Sequence, residues 1–282
     1  MEVNEKQIEI TENYIDLEKL LASKKVKLPR FVVRFLKRLL HIDEINEGIY
    51  KYRDRKGVDF ATAILEYLDI KMVMVHPERI PTNGYPIVAG NHPLGGADGM
   101  ALISAVGERR GDIKFPVNDF LMALPGLAPV FIPVDKVHRN TTTVAGIEAA
   151  FADKNCLLYF PAGLCSRKTN GKVMDPRWKS TFVKKAVKYQ RDVVPVFFDA
   201  VNRKRFYTIA NLRKRLGIKF NFEMALLPSE LFAQRGKTFR VIYGKPIPYS
   251  VFDSRHSAQE WADRVHDFVY TLKDNPDAEF DK

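Results

Sequence analysis

Only two cysteines, Cys156 and Cys165, occur in 282 residues, which excludes a disulfide framework and a four-cysteine zinc site. Both lie in or near one apolar run, as fits a reducing compartment. Long apolar runs are missing too: no stretch reaches the roughly eighteen residues that a membrane span requires. The opening stretch "MEVNEKQIEITENY" is acidic and polar, without the basic start and apolar run of a secretory signal. These absences lead us to expect a cytoplasmic protein that meets any membrane from one side. Familiar catalytic signatures are scarce as well. The sequence has no G-x-S-x-G elbow and no H-E-x-x-H pair, and "GLCS", from Gly163 to Ser166, lacks the glycine that would complete the elbow.

Acidic residues are in deficit. The 45 Lys and Arg against 34 Asp and Glu leave a formal charge of +11, which favours an anionic partner such as a lipid surface, an acidic carrier protein, a phosphate-bearing substrate or nucleic acid. With 46% hydrophobic and 28% charged residues the chain is that of an ordinary folded protein. Its length suits one large domain with a small extension and leaves little room for two full domains.

Patterning along the chain gives three zones. Helical periodicity at residues 13–23, 29–41 and 43–52 predicts an N-terminal helical arm over residues 1–58. From Phe60 to about Ala200 the short apolar runs "KMVMVH", "YPIVAG", "IKFPVN", "PVFIPV", "CLLYFP" and "VVPVFF" alternate with helix-like stretches at 61–69, 99–106, 142–152 and 178–190. A strand "FRVIYGKPI" and an amphipathic helix at 258–272 follow without a linker. Strand and helix in alternation predict an α/β fold, a largely parallel sheet flanked by helices, over residues 59–282.

The stretch "VAGNHPLGGADGM" then gains a place. Its first residues complete a buried strand, and ligand sites in such sheets gather where the chain leaves the strands' carboxyl ends. His92 lies two residues past that end. A histidine can accept a proton from a hydroxyl and return it to a leaving group, provided a carboxylate on its other ring nitrogen holds the tautomer. Asp98 is a candidate for that carboxylate, and Gly95 and Gly96 supply the backbone freedom to fold it back. The same aspartate precedes "GMALISAV", where an aspartate is a preferred N-cap, and taken alone the stretch favours that role.

Four stretches in order carry a family resemblance. "GNHPLGGADG" resembles the first motif of the lysophospholipid (PlsC-like, glycerolipid) acyltransferases, "LPGLAPVFIPVDK" the second, "LLYFPAGLCSRK" the third and "VVPVFFDA" the fourth. The likeness spans roughly residues 70–247. It implies a PlsC-like α/β domain in which His92 is the base and Asp98 orients it. Around the substrate it implies Asn91, Gly95 and Gly96 from the first motif, and Phe160, Pro161, Gly163, Ser166 and Arg167 from the third. In the second motif, "FIPVDK" moves an anion-binding role to Lys136 or Arg139. The departures are specific. Five residues separate His92 from Asp98 where the family has four, Ala162 replaces a glutamate, and Cys165 stands where an arginine is usual. Together they resemble the hemolysin-like subgroup, similar to the O-acylating enzymes of bacterial aminolipid synthesis, whose acceptor bears a carboxylate and a 3-hydroxyl.

The resemblance implies transfer of a fatty acyl group from a thioester of acyl carrier protein or coenzyme A to that hydroxyl, with the thioester as co-substrate and no further cofactor. Oxyanion donors are sought among the backbone N–H groups of residues 95–97 or 163–164. Arg167 and Lys168 are read as holders of the acceptor's anionic head or as a solvated basic loop. The 178–190 helix carries Trp178, Phe182 and Val183 on one side, for core packing, and lysines elsewhere that offer a face to an acidic carrier protein. In "PRFVVRFLKRLLH", residues 29–41, the four cations share one sector and the apolar residues fill the remainder, which suits a helix lying on an anionic membrane and equally a helix packed on the sheet. Arg203, Arg205, Phe206 and Tyr207, followed by "NLRKRLG", form a second basic region able to face that surface. A peripheral enzyme on the inner face of the cell membrane is the expectation. The rivals are a lipid-binding relative without catalysis and a basic nucleic-acid-binding protein, for which no recognition motif occurs, so nucleic acid is not an expected partner.

Overall fold

The alternating pattern forms a seven-stranded sheet in the computed structural model, which describes residues 14–23, 25–117, 124–133 and 141–281. Its strands are β1 (Lys71–Val75), β2 (Ile87–Gly90), β3 (Ile113–Val117), β4 (Phe131–Pro133), β5 (Cys156–Tyr159), β8 (Val193–Asp199) and β9 (Thr238–Tyr243). Across the sheet they run in the order β1-β9-β8-β2-β5-β3-β4. Every neighbouring pair is parallel except β8 with β9. The expected largely parallel sheet is therefore present, with one antiparallel pair towards one edge.

A parallel sheet needs cover on both faces, and the central strands are apolar enough to demand it. All of β2 is buried, as is β8 up to Asp199. Side chains alternate between faces, so Val88, Leu158, Val194, Val196 and Phe198 enter the core beneath α4 (Val58–Tyr67) and α5 (Gly96–Gly107). Ile87, Ala89, Leu157, Val193 and Phe197 enter the opposite core with α6 (Thr141–Ala152), α7 (Thr181–Tyr189) and α10 (Ala258–Thr271).

The arm is tied to this body unevenly. Its helices are α1 (Leu17–Ser23), α2 (Arg30–Leu39) and α3 (Ile42–Lys51). Ile49 of α3 belongs to the core, and the buried Asn46 carboxamide accepts from Ile15 N at 2.8 Å and donates to Ile15 O at 3.0 Å. In α2 no residue is buried, and Phe31 and Phe35 are 73% and 62% exposed. The apolar face of α2 is thus divided: Val32, Val33, Leu36 and Leu39 are half-buried, and the two phenylalanines face outward. Among the described residues no helix is long and apolar enough to cross a membrane.

Three local readings change. The 178–190 helix begins only at Thr181; Trp178 precedes it and is buried with Phe182 and Val183. Arg167 and Lys168 lie on β6 (Arg167–Thr169), which pairs antiparallel with β7 (Lys172–Met174) across Asn170 and Gly171, both at positive φ. Asn-Gly is the usual two-residue hairpin turn because both central positions need such angles. The basic-aromatic region forms α8 (Lys204–Arg215), but Phe206 and Tyr207 point into the protein and are buried. They do not face an outer surface, since each fills apolar space beside Cys165.

Candidate active site

Strands β5, β2 and β8 are adjacent and parallel, so the loops leaving their carboxyl ends converge. Asn91 sets the exit from β2. Its buried carboxamide accepts from Phe198 N at 2.7 Å and donates to Phe198 O at 3.0 Å, extending the β2–β8 pairing by one residue. His92 is bonded through its backbone, its carbonyl accepting from Ser166 N at 2.8 Å. Beyond it, Pro93 O accepts from Asn202 Nδ2 at 3.1 Å. First motif, third motif and the end of β8 are thereby held as one unit.

The structure brings His92 and Asp98 together. His92 Nδ1 lies 3.1 Å from Asp98 Oδ2, and Asp98 is fully buried. The same oxygen accepts from Leu94 N at 2.8 Å and Gly95 N at 3.3 Å, and Oδ1 accepts from Gly99 N at 2.9 Å. The aspartate therefore organises the helix entrance and faces the imidazole at once. Its position differs from the expected cap: α5 starts at Gly96 with Gly95 as N-cap, and Asp98 is the third helical residue. Gly95 absorbs the fifth intervening residue. It has φ +93°, and a Cβ there would sit 3.0 Å from Leu227 Cδ1 and 3.2 Å from Cys165 Sγ, so a side chain meets both strain and collision. Gly96 faces open space.

Phe160 stacks on the His92 ring with centroids 4.2 Å apart and planes at 22°. Burial disfavours the imidazolium, yet the Asp98 carboxylate, with a smaller contribution from Cys165, outweighs it and holds the His92 pKa well above the usual histidine value. With Nδ1 engaged by the carboxylate, Nε2 is the nitrogen left for proton transfer.

A second carboxylate, missed in the sequence, holds the His92 backbone. Asp175 is buried, and its oxygens accept from Ser166 Oγ at 2.6 Å, Trp178 Nε1 at 2.9 Å and His92 N at 3.1 Å. Its own N–H donates to Tyr270 Oη at 2.7 Å. Burial raises its pKa, against the pull of the Ser166, Trp178 and His92 donors. The signal lies in "DPRW", where an aspartate precedes a proline, with an indole donor three residues on. Only the fold shows that His92 is the fourth group on this hub.

The remaining candidates separate into several kinds. Pro161 is buried, with its carbonyl accepting from Lys179 N at 3.2 Å, and Gly163, at φ +65°, donates to Phe160 O at 3.0 Å. Those N–H groups of residues 95 and 163 are thus engaged within the protein. Gly96 and Ala97 lie in the first turn of α5, where N–H groups have no intrahelical acceptor. Arg167 donates to Cys165 O at 2.7 Å and pairs with Glu223 at 3.2 Å. Glu223 is buried and also contacts Arg213 at 2.8 Å, so it balances part of the charge assigned to Arg167. Lys168 is exposed. Lys136 and Arg139 lie outside the described residues. Arg203 and Arg205 both pair with the buried Glu230, which removes them from the free basic surface.

A groove of about 670 Å³ opens beside this hub. Leu164 and Asp175 form part of its wall, and Arg167, Lys172, Arg213 and Lys214 give it a cationic lining.

The family model described as acyltransferase matches residues 17–279. Two similar proteins are named lyso-glycine lipid O-acyltransferase. That of Bacteroides thetaiotaomicron is 44% identical over 264 residues, spanning 92% of this chain and 97% of that protein. That of Phocaeicola vulgatus is 45% identical over 264 residues, spanning 92% and 95% respectively. Among solved structures, the 1-acyl-sn-glycerophosphate acyltransferase PlsC from Thermotoga maritima matches at 15% identity and a TM-score of 0.47, covering 88% of this chain and 97% of that one. The family match reaches across both the arm and the His92–Asp98 sheet, and on that match and the identities to its relatives the chain belongs to the acyltransferase family, with acyl transfer as its chemistry.

Proposed function

We propose that the protein acylates the hydroxyl of a lyso-glycine lipid, an N-acylated glycine whose fatty chain carries a 3-hydroxyl, using a long-chain acyl thioester as donor. The observation that carries this reading is the 3.1 Å contact between His92 Nδ1 and Asp98 at the carboxyl end of β2, in a chain 44% identical to a protein of that name. His92 Nε2 removes the hydroxyl proton as the oxygen attacks the thioester carbonyl. Asp98 stabilises the imidazolium that results, and the protonated ring returns the proton to the departing thiolate. The first-turn N–H groups of Gly96 and Ala97 at the start of α5 are the proposed oxyanion donors, where the helix dipole also favours negative charge.

The acceptor's carboxylate suits the groove lined by Arg167, Lys172, Arg213 and Lys214. Glu223 neutralises much of the inner pair, which leaves Lys172 and Lys214 as the exposed charges for a singly charged head. Carrier protein is the favoured donor on the strength of the +11 charge. Residues 1–58 serve as the membrane-binding arm through Phe31, Phe35 and the cations of α2, and residues 59–282 as the catalytic domain. The protein works at the inner face of the cell membrane.

Purified protein supplied with acyl carrier protein or coenzyme A thioesters and either N-(3-hydroxyacyl)glycine or lysophosphatidic acid tests this. Diacylated glycine lipid is the expected product. Turnover confined to lysophosphatidic acid would reject the acceptor, and no turnover with any donor and acceptor pair would reject the reading as a whole. Lys172→Ala with Lys214→Ala should raise KM for the glycine acceptor about tenfold and leave KM for its methyl ester unchanged.

A further inference from the structure

We propose that residues 212–222, the end of α8 and the loop after it, form a second membrane contact that dips into an anionic leaflet at the rim of the cationic groove. Helix α8 changes character along its length. Phe206, Tyr207 and Ala210 anchor its first half in the protein, whereas Leu212, Leu216, Ile218, Phe220 and Phe222 are 54%, 63%, 41%, 77% and 41% exposed. Five large apolar side chains within eleven residues exceed the scattered exposure of an ordinary soluble surface.

The projecting tip is organised. The helix ends in a Schellman turn, with Ile218 N donating to Arg213 O at 3.1 Å and Gly217 N to Lys214 O at 3.1 Å, and with Gly217 at φ +70°. Arg213 Nη1 also donates to Ile218 O at 2.7 Å. Arg213 O, Lys214 O and Ile218 O are thereby satisfied within the segment, which lowers the cost of insertion among acyl chains.

Charge identifies the occupant. Arg213, Lys214, Arg215 and Lys219 are interleaved with the apolar residues, and residues 204–222 contain no acid. The next one, Glu223, is buried against Arg167 and Arg213. A ring of cations around an apolar tip complements a negatively charged bilayer surface, where apolar side chains sink below the headgroups and the cations meet them. The arm touches the next α-helix in the chain. Helix α9 (Leu227–Phe232) follows this segment, and its Phe232 stacks on His41, at the junction of α2 and α3, with centroids 4.4 Å apart. Since Arg213, Lys214 and Asn221 also line the groove, the segment sets the groove's mouth at the bilayer, so that a lysolipid acceptor reaches it without crossing water. That last consequence rests on the acylation reading; the contact itself does not.

The full chain is tested by vesicle sedimentation with phosphatidylcholine alone and with phosphatidylcholine plus phosphatidylglycerol. Wild type should bind the anionic vesicles. Leu216→Ser with Phe220→Ser should weaken that binding on the order of tenfold with an unchanged melting curve, and Arg215→Ser with Lys219→Ser should weaken it more at low than at high salt. Trp178 and Trp261 are both buried, so Phe220→Trp gives a surface reporter whose emission should shift to the blue on anionic vesicles and be quenched by brominated lipid. Unaltered binding by the Leu216/Phe220 variant, or unmoved Phe220→Trp emission, would overturn the proposal. So would a dimer that forms without vesicles and is lost in that variant, because a second copy would then be the occupant. These readouts need no substrate, so a failure of the acylation reading leaves them interpretable.

Discussion

The buried hub around His92 and the two basic-apolar segments satisfy their side chains in opposite ways. Around His92 the polar groups are buried and held from several directions: Asp98 receives three backbone N–H groups besides facing the ring, and Asp175 receives Ser166, Trp178 and His92. At α2 and at residues 212–222, large apolar side chains stand uncovered among cations. Proton transfer depends on ring position to fractions of an ångström, whereas adsorption to a fluid leaflet depends on composition and approximate shape. The first region should fail on removal of single atoms, and the second should lose affinity in increments.

The largest effect is expected at the ring. His92→Ala should lower kcat by about 10² to 10⁴ without changing vesicle binding, measured by initial rates and sedimentation on one preparation. Near-wild-type turnover would remove His92 as the base. Asp98→Asn should produce a comparable loss together with a displaced pH profile. With the neutral ring as the proposed base and its pKa held above the usual 6.5, kcat/KM should climb with pH and reach half its maximum above that value. Removing the carboxylate charge should move the rise to lower pH. A profile that does not move would make Asp98 a helix-organising residue alone.

Asp175→Asn should act through position. Its amide must face one of three donors, so we expect a cost of about 1–3 kcal/mol in stability and a fall in kcat of roughly 10- to 100-fold. The pH profile should stay in place, which separates it from Asp98. Glycine substitutions sharpen the contrast within one turn. Gly95→Ala should destabilise by roughly 1–3 kcal/mol, given its φ of +93° and the crowding by Leu227 and Cys165, whereas Gly96→Ala should change the denaturation midpoint little. A graded effect belongs to the arm: Phe31→Ser with Phe35→Ser should reduce vesicle binding several-fold and leave turnover of a short-chain soluble donor intact. The reverse pattern would return α2 to a packing role.

The sequence made some of this plain because its signals are local. Six apolar runs separated by helical stretches specify an α/β sheet, and β2 with "NHPLGG" after it specifies a site at a strand end. The cap and partner readings of Asp98 were both legible, and they prove compatible because a carboxylate has two oxygens to direct. Other features have no local signature. Phe206 and Tyr207 stand in a basic stretch that reads as surface, yet they face inward because α8 lies against the third-motif loop. Arg167, Arg203 and Arg205 look like free cations until Glu223 and Glu230, tens of residues away, fold beneath them.

From its residues alone this chain has its strand and helix alternation, its cationic excess, and a histidine and aspartate on one glycine-rich turn, since each follows from composition or from spacing within a few residues. Tertiary structure alone decided that five intervening residues still close the His92–Asp98 contact, that Asp175 underpins the histidine, and which cations remain unpaired. The physical reason is the same in each case. A hydrogen bond or ion pair between buried groups depends on the relative position of strands that are remote in sequence, and the order β8-β2-β5, which no single segment encodes, is what brings those loops together.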